Sequence, residues 1–172
     1  MTENVHRNSR RSARHLARVF ALLGLYQWIA DPTLEFDAID AHLSGLISDE
    51  GEALEGCAIA ASDFGHADKA LYRSLLSGVI LHHDELEQTF SAFVDRELSR
   101  VSLVERAILL LGTFEMVKCP QTPYRVVLNE SIELAKEFGS GYRFTNAVLE
   151  HVAQSARAEE FSADHAKKPQ AQ

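Results

Sequence analysis

Cysteine, proline and β-branched clusters are scarce in this chain. Its 172 residues include only 2 cysteines and 4 prolines. Cys57 and Cys119 form no CxxC pair, so the sequence offers neither a disulfide framework nor a cysteine-rich metal site. Aromatic residues make up 8%, whereas alanine, leucine and glutamate are plentiful, a balance that disfavours a sandwich or barrel. We therefore predict an all-α fold, a compact helical bundle or two small bundles packed together.

The chain also lacks a long hydrophobic run. The apolar stretch at 19–30 is only 12 residues long, against the roughly 20 that a membrane-spanning helix needs. It contains polar Gln27 and is followed by Pro32 rather than by a small-residue cleavage site. We therefore expect neither a signal peptide nor a membrane span, and we predict a cytoplasmic protein with reduced cysteines.

Lysine and arginine are absent between Arg18 and Lys69, although ten acidic residues fall between Asp31 and Asp68. The first 30 residues, in contrast, carry five arginines and a single acid. The rest of the chain is consequently more acidic than the net charge of −8. A basic arm on an acidic body indicates an anionic partner that binds at the arm. The alternative is a solvated face of an N-terminal helix.

The order of segments predicts a flexible arm at 1–8, one helical domain at 9–158 and a disordered polar tail at 159–172. Ser102 and Glu105 have the spacing of a capping box, and Gly139 is placed to end a helix that starts at Pro123. A loop is predicted over 49–65, and a break in helix near 82–85. Periodicity and breakers predict helices at 9–30, 34–48, 68–81, 88–98, 102–119, 123–138 and 142–157.

The arginines of the arm share one face of the predicted first helix. Arg7, Arg11, Arg14 and Arg18 fall within about 60° on a helical wheel, with Arg10 beside them. Tyr26 lies two turns beyond Arg18. Guanidinium groups that neutralise phosphates and an aromatic ring that stacks on a base suit single-stranded RNA. The alternative is an arm that frays in solution, with Tyr26 in the core.

Signals for catalysis are weak. His82, His83 and Asp84 suggest a metal phosphohydrolase, but such a site needs further inward-facing ligands, and a histidine pair at a helix end is the favoured interpretation. Glu130, Glu133 and Glu137 have helical spacing and are predicted to belong to a solvated face. The sequence contains no Gly-rich phosphate loop, HExxH or GxSxG motif. We therefore predict a binding protein rather than an enzyme, with no catalytic residue, metal or cofactor.

A long block near the C-terminus resembles a known family. The sequence PYRVVLNESIELAKEFG at 123–139, continued by RFTNAVL at 143–149, is similar to the C-terminal signature of the NusB family of bacterial transcription antitermination factors. The segments LYQW at 25–28 and VERA at 104–107 match the family as well. The resemblance runs from about residue 10 to 158. It implies an all-helical protein of two small packed bundles.

The resemblance also implies a function. Members of this family bind the boxA element of nascent ribosomal and phage transcripts together with NusE, a small-subunit ribosomal protein, within the antitermination complex of RNA polymerase. The arginine stripe would then be the RNA arm. By position, the RNA-binding residues would be Arg10, Arg11, Arg14, Arg18, Tyr26, Arg143 and Phe144, and the residues that bind the protein partner would be Phe93 and Glu105.

A second function remains open at this point. The same helical module precedes the catalytic domain of some ribosomal RNA cytosine methyltransferases. A freestanding RNA-binding module related to that domain is therefore the alternative, although no cofactor-binding β/α unit follows in these 172 residues.

Overall fold

The structure, a computed structural model, describes residues 12–48 and 61–166. All regular secondary structure in those two ranges is helical, and no helix there is long and apolar enough to cross a membrane. Two short 3-10 helices lie at Ala61–His66 and Leu98–Arg100. The α-helices are α1 (Ala13–Ala30), α2 (Phe36–Ser48), α3 (Lys69–Ser91), α4 (Leu103–Lys118), α5 (Tyr124–Glu137), α6 (Tyr142–Ala156) and α7 (Ala158–Ala166).

Helix α4 lies at the centre of the molecule. It packs against α1 and α3 on one side and against α5 and α6 on the other. Every residue from Ala107 to Met116 is buried, because apolar side chains all round a helix require cover on every side. Ile108, Leu111 and Phe114, which periodicity places inside, are indeed buried. Two helical groups thus share one core through α4, and the all-α prediction is confirmed.

Close packing around α4 depends on glycine at two contacts. A Cβ at Gly112 would lie 2.8 Å from Leu149 Cδ1 of α6. A Cβ at Gly78 of α3 would collide with the ring of Phe114. The backbone of α3 at Gly78 therefore packs directly on the Phe114 ring, and the backbone of α4 at Gly112 packs directly on the Leu149 side chain.

The residues predicted to start α4 and to end α5 adopt the expected local structures. The Ser102 side chain accepts the Glu105 N–H at 3.1 Å, while Glu105 Oε2 accepts the Ser102 N–H at 3.3 Å, so the capping box forms. Gly139 follows Phe138, the C-cap of α5, and has φ of +68°, a left-handed conformation that glycine adopts without steric cost. These two sites fix the start of α4 and the turn into α6.

Two predictions about helix continuity are wrong. Helix α3 runs unbroken through 82–85 and ends at Ser91 rather than at 98. The break was predicted only from consecutive polar residues, which do not by themselves interrupt a helix. The tail predicted to be disordered is helical where the structure describes it, since α7 runs over Ala158–Ala166, and 167–172 lie outside the described residues. Phe161 of α7 packs on the ring of Tyr124 with centroids 5.4 Å apart, so this polar segment gains one apolar anchor that its composition does not emphasise.

Candidate nucleic-acid interface

The start of α1 presents one arginine to solvent. Ser12 is the N-cap and accepts the His15 N–H at 3.1 Å, so the helix begins at Ala13. Arg14 is exposed in its first turn. Arg10 and Arg11 lie outside the described residues, and α1 begins after them. Of the predicted stripe from 7 to 18, α1 contains Arg14 and Arg18.

Arg18 does not belong to the exposed set. It is only 2% exposed, and its guanidinium pairs with the buried carboxylate of Glu115 through Nη2 to Oε1 at 2.7 Å and Nε to Oε2 at 3.0 Å. A buried arginine requires such a two-pronged partner, since an unpaired charge in the core would be costly. The prediction that Arg18 contacts RNA is corrected: this side chain ties α1 to α4.

Tyr26 is exposed, at 45% of its surface. Between it and Arg14, the residues from 16 to 22 are all buried, because other helices cover α1 on every side there. Twelve residues of helix separate the two side chains by about 18 Å. They are consequently two separate exposed points rather than one continuous stripe, and Tyr26 is not a core residue.

His15 anchors the start of α1 to α5. Its Nδ1 lies 2.6 Å from Glu130 Oε2, and its Nε2 lies 3.2 Å from Glu137 Oε2. Hydrogen bonds to Glu130 and then Glu137 raise the pKa of His15 to about 9, against the opposing effect of burial. The solvated-face prediction is therefore wrong for these two glutamates, whereas Glu133 is exposed. Because Glu137 is in the last turn of α5, the first turn of α1, which also carries Arg14, is attached to the C-terminal half of α5.

The turn after α5 leads directly to the predicted RNA residues of α6. Arg143 is exposed in the first turn, and Phe144 beside it is half-buried and packs against the core. The Arg96 guanidinium lies over the Phe144 ring, with Cζ 4.0 Å from its centroid. Lys136 Nζ lies 5.4 Å from the centroid of the Tyr142 ring. Cations and aromatic rings thus alternate around the start of α6.

Of the two predicted partner residues, Phe93 lies on the connection from α3 to α4, and Glu105 lies in the first turn of α4. Phe93 is half-buried and stacks on exposed His151, with centroids 5.4 Å apart and an angle of 12° between the rings. Glu105 is half-exposed and uses Oε2 in the capping box. Since His151 is two turns after Phe144 on α6, Phe93 lies about 10 Å along that helix from the Arg96–Phe144 contact.

The histidine cluster of α3 forms no metal site. His83 Nδ1 lies 2.8 Å from the Ile80 carbonyl, and His82 Nδ1 lies 3.6 Å from Glu85 Oε2. The ring of His83 also packs edge-on against Trp28, with centroids 4.7 Å apart. Across 12–48 and 61–166, no group of three or more His, Cys, Asp or Glu side chains has the arrangement of a metal site. The pair is explained by packing within and beside α3.

Sequence reasoning missed Arg96, Lys136 and His15. Arg96 is 48 positions from Phe144, and no local period connects them. Lys136 and Tyr142 are separated by the turn between α5 and α6. The pattern RFTN marked Phe144, but the cation above it is supplied by the fold alone.

Comparison with known proteins gives one consistent result. The sequence pattern of the NusB family matches residues 15–154. A protein of Ralstonia nicotianae named transcription antitermination protein NusB is 40% identical over 155 residues, which cover 89% of this chain and 90% of the relative. Proteins of the same name from Aromatoleum aromaticum and Azoarcus sp. are each 41% identical, over 90% and 93% of this chain and 97% and 95% of the relatives. The chain belongs to the NusB family.

Proposed function

We propose that this protein is a cytoplasmic transcription antitermination factor that binds boxA-type single-stranded RNA of nascent ribosomal transcripts together with NusE. The observation that carries the proposal is the set of cations and aromatic rings at the start of α6, in a chain of the NusB family. The relatives named above are antitermination proteins.

The RNA surface in this proposal joins two helix starts. Arg14 of α1 and Arg143 of α6 are exposed near the end of α5 and would neutralise phosphates. The ring of Phe144, with Arg96 above it, would support a base. Tyr26 would contact the strand farther along α1. Arg10 and Arg11 precede α1 and remain proposed RNA contacts.

The protein partner would bind beside the RNA. Phe93 is half-buried and offers an aromatic edge, and Glu105 offers a carboxylate. Because the capping box occupies Glu105 Oε2, a donor of NusE would be accepted by Oε1. Both residues flank the connection that also carries Arg96. In this arrangement one face of the protein would meet RNA and NusE together, within the antitermination complex of RNA polymerase.

The methyltransferase-related alternative is less well supported. The three relatives are matched over 90–97% of their own length and carry the antitermination name, so they have no room for a large catalytic domain. An assay with a boxA transcript and a methyl donor distinguishes the two functions. We expect RNA binding without methyl transfer; methyl incorporation that depends on this protein would favour the alternative.

Fluorescence anisotropy tests the proposed function directly. The probes are a labelled single-stranded RNA that carries the boxA segment of a ribosomal leader and a scrambled RNA of equal composition. We expect the protein to prefer boxA RNA and to bind it more tightly in the presence of purified NusE. Equal affinity for both RNAs, with and without NusE, would contradict the proposal.

A further inference from the structure

The contact between Arg96 and Phe144 closes the surface on which a base would otherwise stack. Phe144 packs against the core in the first turn of α6, and the Arg96 guanidinium covers its ring at 4.0 Å. A base that approaches this point therefore meets the guanidinium before it meets the ring. The planar group of Arg96 forms the outer surface here.

Arg96 is both accessible and held in place. Its side chain is 41% exposed, and its Nε lies 3.5 Å from Asp95 Oδ1. The aromatic ring beneath and the Asp95 carboxylate hold the guanidinium at this position, and a guanidinium is planar, always charged and weakly hydrated. A group that is already oriented loses little conformational entropy when a ligand stacks on it.

The same connection makes a second contact with α6. Phe93, three residues before Arg96, stacks on His151, two turns after Phe144. The connection thus contacts α6 at two places, through the stack of Phe93 on His151 and the cation–π contact of Arg96 with Phe144. This double attachment limits the movement of Arg96 away from Phe144.

We propose that Arg96 is itself an RNA-binding residue, and that a base of single-stranded RNA stacks on the outer face of its guanidinium while Phe144 supports the inner face. Guanidinium planes are among the groups on which unpaired bases stack in RNA complexes. The inference rests on the proposed function. It assigns to Phe144 the role of a support beneath Arg96 rather than that of the stacking surface.

The test compares Arg96→Lys and Arg96→Gln with wild type on the boxA RNA described above. Lysine keeps the charge but has no plane to stack. Arg125→Gln is the matched control, because Arg125 is an exposed arginine, 59% accessible, in the first turn of α5, at the end opposite to the turn that leads into α6. Affinity, its dependence on salt and the melting temperature are measured for each protein.

We expect both Arg96 variants to bind about fivefold more weakly or worse, since a stacked base contributes about 1 to 3 kcal/mol and 1.4 kcal/mol corresponds to tenfold. Arg96→Lys should keep the salt dependence of wild type. All variants should have the melting temperature of wild type. Arg125→Gln should bind as wild type does.

Three results would overturn the inference. Normal binding by both Arg96 variants would remove Arg96 from the interface while leaving the proposed function intact. Normal binding by Arg96→Lys with weak binding by Arg96→Gln would make Arg96 a phosphate contact instead of a stacking surface. Failure of the wild-type protein to prefer boxA RNA, with or without NusE, would remove the proposed function and this assignment together.

Discussion

His15 makes the stability of the protein depend on pH. Its pKa of about 9 in the folded chain exceeds the ordinary 6.5, first because of the hydrogen bond to Glu130 and then that to Glu137. The stabilisation that protonated His15 contributes to the folded state is therefore complete below about pH 6.5 and is lost as pH rises through about 9. Its size is on the order of 3 kcal/mol. We expect His15→Gln to lose less stability between pH 7 and 9 than wild type does, in urea titrations at each pH. The control is His42→Gln, since His42 is exposed; parallel pH profiles for wild type and His15→Gln would contradict the assignment.

Arg157 closes the end of α4. It is 9% exposed and donates hydrogen bonds to the carbonyls of Glu115, Met116, Cys119 and Thr122 at 2.7–3.1 Å. Removal of the guanidinium would take the donor from the Met116 and Thr122 carbonyls, at about 1 to 3 kcal/mol each, whereas the Glu115 and Cys119 carbonyls also accept backbone N–H groups. We expect Arg157→Met to lower the free energy of unfolding by at least about 2 kcal/mol, and Arg157→Lys to lose less. Chemical denaturation measures both, and a loss under 1 kcal/mol for Arg157→Met would show that water replaces these bonds.

At the scale of elements, α3 and α4 meet where Gly78 faces Phe114. Phe114→Ala removes a buried ring and should cost about 3 to 5 kcal/mol. Gly78→Ala should destabilise wild type, because its methyl group collides with that ring. In the Phe114→Ala background the collision is absent, and alanine gains up to about 1 kcal/mol of helix propensity. A double-mutant cycle in urea should therefore show strong coupling; the same cost of Gly78→Ala in both backgrounds would contradict the contact.

Helix α7 supplies the cap that α5 lacks. Pro123 has no side chain that can cap α5, and Glu160 Oε1 of α7 accepts the Tyr124 N–H at 3.0 Å. Loss of a capping group typically costs about 1 kcal/mol. We expect Glu160→Ala to be less stable than wild type by about this amount or more, because Glu160 also pairs with Arg157 at 2.8 Å. Glu159→Ala, on the exposed side of the same turn, is the control, and equal melting of the two variants would exclude the cap.

At the scale of the whole molecule, a net charge of −8 opposes RNA everywhere except where cations collect. Each phosphate contact on a single strand contributes about 0.7 to the slope of log affinity against log salt. We expect Arg14→Gln combined with Arg143→Gln to reduce that slope by about 1.4. Arg125→Gln should leave it unchanged. An unaltered slope in the double variant would show that these two arginines touch no phosphate.

The sequence by itself determined the features that depend on residues within one or two turns of each other. The helical class, the Ser102–Glu105 capping box and the stop at Gly139 follow from local hydrogen bonding and backbone freedom. Resemblance to the family predicted Arg143, Phe144 and Tyr26 as RNA contacts. Tyr26 is exposed, as an RNA contact requires. How these residues act on RNA stays a prediction.

Only the tertiary structure decided which charges face water. Arg14 and Arg18 are one turn apart in the same arginine pattern, yet Arg14 is exposed, while Arg18 is buried against Glu115, 97 positions away. Likewise, Arg96 meets Phe144 only because the connection after α3 follows α6. A helical wheel records direction around one axis, whereas burial and pairing depend on the helices that pack against it, and those contacts join residues that no local period relates.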